Sequence, residues 1–194
     1  MYIAFDTETT GVSKESNLLT AYFIILDEDL NIVDELDIRI KHDVYTVFTR
    51  ALEVNKIDLL EHDKVAKTLL ESRRELLIFL NKNKGDERYI PIGHNINFDI
   101  GFVKSSGLLK LSEYNMLINC NSIDTLCLCQ YLKLCGEIDK DERLSLSNLC
   151  EYFKIDMNKN NLHNAEYDIK MTIGLLKKIR CIHEKTKSKK RKIN

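Results

Sequence analysis

Proline and glycine are scarce: one proline (Pro91) and seven glycines in 194 residues leave little material for linkers. No internal repeat is visible. No C-x-x-C pair occurs among the six cysteines (Cys120, Cys127, Cys129, Cys135, Cys150, Cys181), which argues against structural zinc. No apolar run approaches the ~20 residues of a membrane span. No signal peptide precedes the first apolar run, so reduced thiols in a cytoplasmic compartment are expected. An excess of charge is missing too. The 29 Lys+Arg against 30 Asp+Glu leave a net charge of −1, which argues against coating nucleic acid by bulk positive charge.

What is present is the composition of a folded protein, 44% hydrophobic and 30% charged, long enough for one domain with a sizeable core. The charge is uneven. Residues 185–194 hold six cations (Lys185, Lys187, Lys189, Lys190, Arg191, Lys192) and no acid, so residues 1–184 carry 23 bases and 30 acids, a net of −7. The chain reads as a folded unit over 1–184 and a basic tail over 185–194. The tail is expected to be a disordered, solvated end. A phosphate handle or a nuclear address is its functional alternative.

Tyr2–Phe5 reads as a buried strand. Ala21–Asp27 and Ile32–Lys41 read as two more, joined by a turn at Glu28-Asp29. Leu36, Ile38 and Ile40 alternate, which gives the third strand one wet face. Leucines at helical spacing predict a helix over Asp63–Asn81. A short strand follows over Arg88–Gly93, where Pro91 places the strand at a sheet edge or the residue at its end. Beyond it come a helix from about Asn97, a strand near Leu117–Ile123, helices over Thr125–Leu134 and Ser145–Phe153, and a last helix over Ala165–His183. The order predicts a mixed α/β sheet, with an antiparallel meander on one side and parallel crossovers on the other.

Three segments carry chemistry. In Phe5-Asp6-Thr7-Glu8-Thr9-Thr10-Gly11, Asp6 and Glu8 lie two apart on a strand and converge on one face. Two such carboxylates repel unless a cation lies between them, and hard oxygen donors suit Mg²⁺ or Mn²⁺. In Gly93-His94-Asn95-Ile96-Asn97-Phe98-Asp99, Asn97 is a candidate N-cap that places Asp99 in the first helical turn. In His163-Asn164-Ala165-Glu166-Tyr167-Asp168, a spacing of five turns a helix by about 140°, so His163 and Asp168 cannot share a helix face. They converge only if His163 precedes the helix, which Asn164 as N-cap allows. A histidine so placed suits a general base.

In this order, the three segments resemble the motifs of the DnaQ-like (DEDDh) 3′→5′ exonucleases: FDTETTG the first, GHNINFD the second and LHNAEYD the third. Ser122-Ile123-Asp124-Thr125-Leu126 and Leu144-Ser145-Leu146-Ser147-Asn148-Leu149-Cys150 are also similar, and the likeness spans nearly all of residues 1–182. It implies an RNase H-like mixed five-stranded sheet flanked by helices. It implies that Asp6, Glu8, Asp99 and Asp168 hold two divalent cations, Mg²⁺ or Mn²⁺, and that His163 takes a proton from water. Thr9, Thr10 and Val12 would line the pocket for the terminal nucleotide. Phe98 would face them and Asn95 would bond nearby. His94 is expected to be structural and Asp124 an N-cap.

Two departures stand out. The second strand, Ala21–Leu26, lacks the glutamate that the family often has there. Ala51-Leu52-Glu53-Val54-Asn55-Lys56-Ile57 matches the pocket-lining loop only loosely. The implied activity is hydrolysis at the free 3′ end of mainly single-stranded DNA, releasing nucleoside 5′-monophosphates. An exoribonuclease or short-oligonucleotide degrader shares that chemistry. A proofreading subunit docked on a polymerase is the reading from a different class. No polymerase domain and no clear clamp-binding peptide are present, which favours a free-standing nuclease.

Overall fold

The computed structural model describes residues 1–158 and 162–191, and for 184–191 the backbone alone. Five strands form one sheet in the order β3-β2-β1-β4-β5. They are β1 Tyr2–Thr9, β2 Leu18–Leu26, β3 Ile32–Arg39, β4 Ile90–Gly93 and β5 Ile123–Asp124. β1, β2 and β3 are an antiparallel meander, whereas β4 and β5 join in parallel. The helices are α1 Thr49–Asn55, α2 Leu59–Val65, α3 Leu69–Asn83, α4 Ile96–Ser105, α5 Leu111–Leu117, α6 Thr125–Leu134, α7 Leu146–Tyr152 and α8 Ala165–Arg191. The expected mixed sheet of five strands flanked by helices is what the chain adopts.

β1 is apolar on both faces because both are covered. Ile3 and Phe5 enter a core with Leu76 and Leu80 of α3 and Phe102 and Val103 of α4. Ala4 enters the opposite core with Ile169, Ile173 and Leu176 of α8. Strand periodicity then fixes the faces farther along: Thr7 looks toward α4, while Asp6 and Glu8 look toward α8. A register shift between Glu8 and Thr9, where Glu8 faces Thr20 and Thr9 faces Leu18, ends the regular ladder where the strand must turn.

Several boundaries differ from the sequence reading. The helix expected over Asp63–Asn81 is two helices. Thr68 interrupts it, capping α3 in a box with Glu71: each side chain bonds the other's backbone N–H. β4 is an interior strand rather than an edge. Tyr89 bonds toward Leu117 and Asn119 while Ile90 bonds toward Met1. Alternation turns Pro91 to the 119–122 side, where no ladder forms and its missing N–H costs nothing. The strand expected near Leu117–Ile123 shrinks to Ile123–Asp124, since residues up to Leu117 belong to α5. Asn97 is inside α4, and Asn95 takes the N-cap position with φ 62°. α8 continues past His183 to Arg191; the side chains of 184–191 and residues 192–194 lie outside the described residues, and with them the charged part of the basic tail. Among the described residues no helix is long and apolar enough to cross a membrane.

Candidate active site

The β1–β4 ladder ends early, at Ala4 opposite Ile92. β4 stops at Gly93 and the chain turns away through Asn95 into α4. Beyond Ala4, β1 has no strand on that side, and the gap admits a side chain from α4. Asp99, in the first turn of α4 and 3% exposed, fills it. The Thr7 hydroxyl donates to Asp99 Oδ1 at 2.6 Å. Asp99 comes from the face opposite to Asp6 and Glu8 and reaches the strand end through this opening.

The third motif arrives on α8. Asn164 accepts from the Tyr167 N–H at 3.2 Å through its side chain and from the Asp168 N–H at 2.9 Å through its carbonyl, which starts the helix. Asp168 thereby stands in the first turn, facing β1. His163 precedes the helix with φ 65°, and its backbone N–H donates to Asp168 Oδ2 at 3.1 Å. Its ring is exposed and, with Glu8, lines a cleft of about 890 Å³ between β2–β3, α1–α2 and the start of α8.

One ligand atom from each of Asp6, Glu8 and Asp168 lies within 4.8 Å of the others. Asp168 Oδ1 is buried and has no hydrogen-bond partner. No Lys or Arg among the described residues pairs with any of the four acids. Burial, then the charges of Asp99, Glu8 and Asp168, push Asp6 well above the usual carboxylate range. Burial raises Glu8 to about 8, helped by Asp168 and Asp99 and opposed by a bond from Asn55. Burial takes Asp99 to about 7 against its hydrogen bonds with Thr7. Asp168 rises by burial, against the His163 N–H. Such a group cannot be fully ionised by itself, and a hard cation is the remedy its chemistry calls for. The orphaned Asp168 Oδ1 and the all-oxygen donor set fit that cation.

The other residues singled out in the sequence are placed as follows. Thr9 and Thr10 are buried; their hydroxyls donate to Gly11 O and Thr46 O, both at 2.6 Å, and hold the turn after β1. Val12 stands free, 85% exposed. Asn95 is exposed, and its backbone N–H donates to Asp124 Oδ1 at 2.9 Å. Phe98 is half-buried against Phe102, ring centroids 4.9 Å apart. Asp124 caps α6 through the Leu126 N–H at 2.9 Å. His94 is held between the Thr125 hydroxyl and Leu144 O, and burial lowers its pKa.

Two residues that the motif reading passes over belong to the site. Thr7, the middle residue of D-x-E, holds Asp99. Asn55, buried at the end of α1, donates to Thr9 O at 3.1 Å and accepts from the Ile57 N–H at 3.1 Å. It also bonds Glu8. The weak match of Ala51–Ile57 to a pocket-lining loop was the one sequence signal for Asn55.

Similarity to known proteins identifies the family. A family model described as an exonuclease, RNase_T, matches residues 3–176. The DNA polymerase III subunit epsilon of Buchnera aphidicola subsp. Acyrthosiphon pisum (strain APS) is 30% identical over 171 residues, which cover 86% of this chain and 67% of that protein. Exonuclease I of E. coli, solved with a dT13 oligonucleotide, superposes with a TM-score of 0.70 at 17% identity. The match covers 91% of this chain and 40% of that one. A moderately thermophilic exonuclease I from Methylocaldum szegediense gives 0.70 at 18% identity, covering 92% of this chain and 40% of its own. The chain thus spans about two fifths of these solved proteins, and the likeness to them is one of fold. The family match and the 30% relative go further: this chain belongs to the RNase_T exonuclease family, in the DnaQ-like group of the RNase H-like superfamily.

Proposed function

We propose that the protein is a metal-dependent 3′→5′ exonuclease that removes nucleoside 5′-monophosphates from the free 3′ end of mainly single-stranded DNA. The observation that carries this is the convergence of Asp6, Glu8 and Asp168 within 4.8 Å, with Asp168 Oδ1 buried and unpartnered, and with Asp99 outside that group but near enough for its charge to raise Asp6. Asp6, Glu8, Asp99 and Asp168 would hold two divalent cations, Mg²⁺ or Mn²⁺, which supply Lewis-acid activation and offset the charge of a phosphodiester. Four carboxylates against two dications cancel, so the site accepts an anionic substrate.

The protein's own groups do the rest. His163 takes a proton from the attacking water at an imidazole nitrogen; a positioned base contributes typically 10²–10⁴-fold. The water oxygen bonds to phosphorus, the bond to the 3′-oxygen breaks, and that oxygen takes a proton from solvent to become the new 3′-hydroxyl of the shortened strand. Asn55 and Thr7 hold Glu8 and Asp99 for that chemistry. The buried Thr9–Thr10 turn, exposed Val12 and half-buried Phe98 frame the terminal nucleotide, with Asn95 at the rim.

The similarity to a polymerase III epsilon subunit supports a second reading, in which the same activity serves a polymerase complex. That bacterial relative also supports cytoplasmic action and lends nothing to a nuclear address for the tail. The test is a time course with 3′- and 5′-labelled DNA and RNA oligonucleotides, with and without Mg²⁺ or Mn²⁺. Stepwise loss from the 3′ end of DNA, dependent on metal, is expected. No cleavage of any polymer with either metal overturns the reading, and faster loss of RNA transfers it to an exoribonuclease. Co-purification with a polymerase, against activity of the isolated monomer, separates the subunit from the free-standing enzyme.

A further inference from the structure

α3 carries two apolar stripes. The inner one, with Leu76, Phe79 and Leu80, is buried in the core. The outer one faces solvent: Leu70 is 71% exposed and Ile78 58%, with Leu77 half-buried beside them. At about 100° per residue, Leu70, Arg74, Leu77, Ile78 and Asn81 lie within about 60° of one line along the helix, and Arg74 is at its centre. With Arg73 they border a shallow groove of about 440 Å³. The outer face of a surface helix is ordinarily polar, and a single exposed aliphatic needs no explanation. Three on one line, gathered about a cation, break that pattern without local gain, and such a break is a mark of function.

The neighbouring charges are already committed, with one exception. Arg73 pairs with Glu113 of α5. Glu71 is engaged with Thr68 in the capping box, and Glu75 pairs with Lys67. Arg74 forms no ion pair among the described residues. The stripe therefore offers one uncommitted guanidinium between two exposed aliphatics. Its position is remote from the carboxylates. The inner stripe packs with Ile3 and Phe5, on the side of β1 that Thr7 shares, whereas Asp6 and Glu8 look toward α8.

We propose that the outer stripe of α3 docks an acidic amphipathic helix of another protein, with aliphatic side chains seated among Leu70, Leu77 and Ile78 and a carboxylate forked on Arg74. Charge complementarity selects this occupant. In a symmetric pairing with a second copy, Arg74 at the centre of the stripe would meet its own copy, and like charges at a contact oppose it. A nucleic-acid strand would bring several phosphates against leucine and isoleucine for one free cation. An acidic helix satisfies the arginine and covers the aliphatics together, and arginine is among the side chains that anchor such contacts. A helix docked there leaves the cleft of Glu8 and His163 open, so the surface recruits the protein to a partner and does not block its site. The proposal stands whether or not the exonuclease reading does.

The test selects displayed random peptides of about 15 residues, long enough for a helix, on the full-length protein, with counter-selection on Arg74→Glu. The expected consensus has Asp or Glu beside aliphatic residues three or four apart. The synthetic consensus peptide, labelled with fluorescein, is then titrated by anisotropy. Arg74→Glu, Leu70→Ser and Ile78→Ser are each expected to raise its Kd by about 10-fold or more. A peptide with its acids exchanged for lysine should bind Arg74→Glu better than it binds the wild type. The three side chains face solvent, so the Tm of each variant should stay close to that of the wild type, which separates lost docking from a damaged fold. Failure to enrich any peptide over the counter-selection overturns the proposal, as does a consensus without acids or no recovery on charge exchange. A dimer that Leu70→Ser dissociates in analytical ultracentrifugation also overturns it and gives the face to a second copy. Weakened binding of a labelled single-stranded oligonucleotide by Leu70→Ser and Arg74→Glu alike overturns it in favour of nucleic acid.

Discussion

The Thr7 hydroxyl donates to Asp99 Oδ1 at 2.6 Å across 92 positions of sequence. The bond joins the face of β1 turned away from Glu8 to the first turn of α4, and it sets where the Asp99 carboxylate can go. Thr7→Val keeps the shape and removes the donor. A hydrogen bond to a charged group is worth about 1.5–3 kcal/mol, so turnover should fall about tenfold or more while the fold persists. Thr7→Ser should restore most of it. Steady-state kinetics beside thermal melts check this, and full activity in Thr7→Val contradicts it.

Asp6 carries the repulsion of three other acids besides its own burial. Asp6→Asn should therefore cost more than ~10³-fold in turnover. The same variant should melt higher than the wild type in chelator, since one of the mutually repelling charges is gone. A gain of ~1 kcal/mol corresponds to about 2–4 °C. A lower melting temperature would mean that Asp6 is a structural residue.

His163 touches Asp168 through its backbone N–H, not through its ring. His163→Ala should keep that contact and leave stabilisation by Mn²⁺ unchanged, while turnover falls about 10²–10⁴-fold. Normal turnover in this variant removes the general base from the mechanism.

Stability of the metal-free protein should decline with rising pH. A carboxyl whose folded-state pKa is raised binds more protons folded than unfolded between the two values, so stability falls as pH climbs through that window. For Glu8 the window runs from 4.5 to about 8, and for Asp99 from 3.8 to about 7. In chelator the Tm should drop from about pH 5 to about pH 8. Excess Mg²⁺ should recover most at the upper end, because protons must leave before a cation can be held. A Tm gain from Mg²⁺ that is the same at both ends would contradict the coupling.

Much of this was readable in the chain. Asp6 and Glu8 converge by strand periodicity alone, and the spacing of five forces His163 to precede α8, where it stands. The meander and the parallel strands followed from the element order. Other parts depend on contacts that no local pattern carries. Thr7 looks like a spacer until α4 packs under β1. Asn55 lies in a stretch without a distinctive motif, and it matters only because α1 folds back on Thr9. The Thr68-x-x-Glu71 start signal is local, but leucine spacing on both sides of it imitates one continuous helix. β5 is short because the chain, after bonding Tyr89 through Asn119, leaves the sheet until Ile123.

Asp99 and Asp168 each occupy the first turn of a helix, α4 and α8 respectively. The partial positive charge at a helix start favours a carboxylate there by about 0.3–1 kcal/mol, and it is present whether or not any ion is bound. Packing of those two helices against β1 likewise owes nothing to an ion. If the site holds cations as proposed, the fold does not wait for them, unlike small metal-organised domains that are unfolded when empty. On the proposed function, depletion of divalent metal would silence the enzyme reversibly, at a cost in stability set by the repulsion among the emptied carboxylates rather than by loss of the fold.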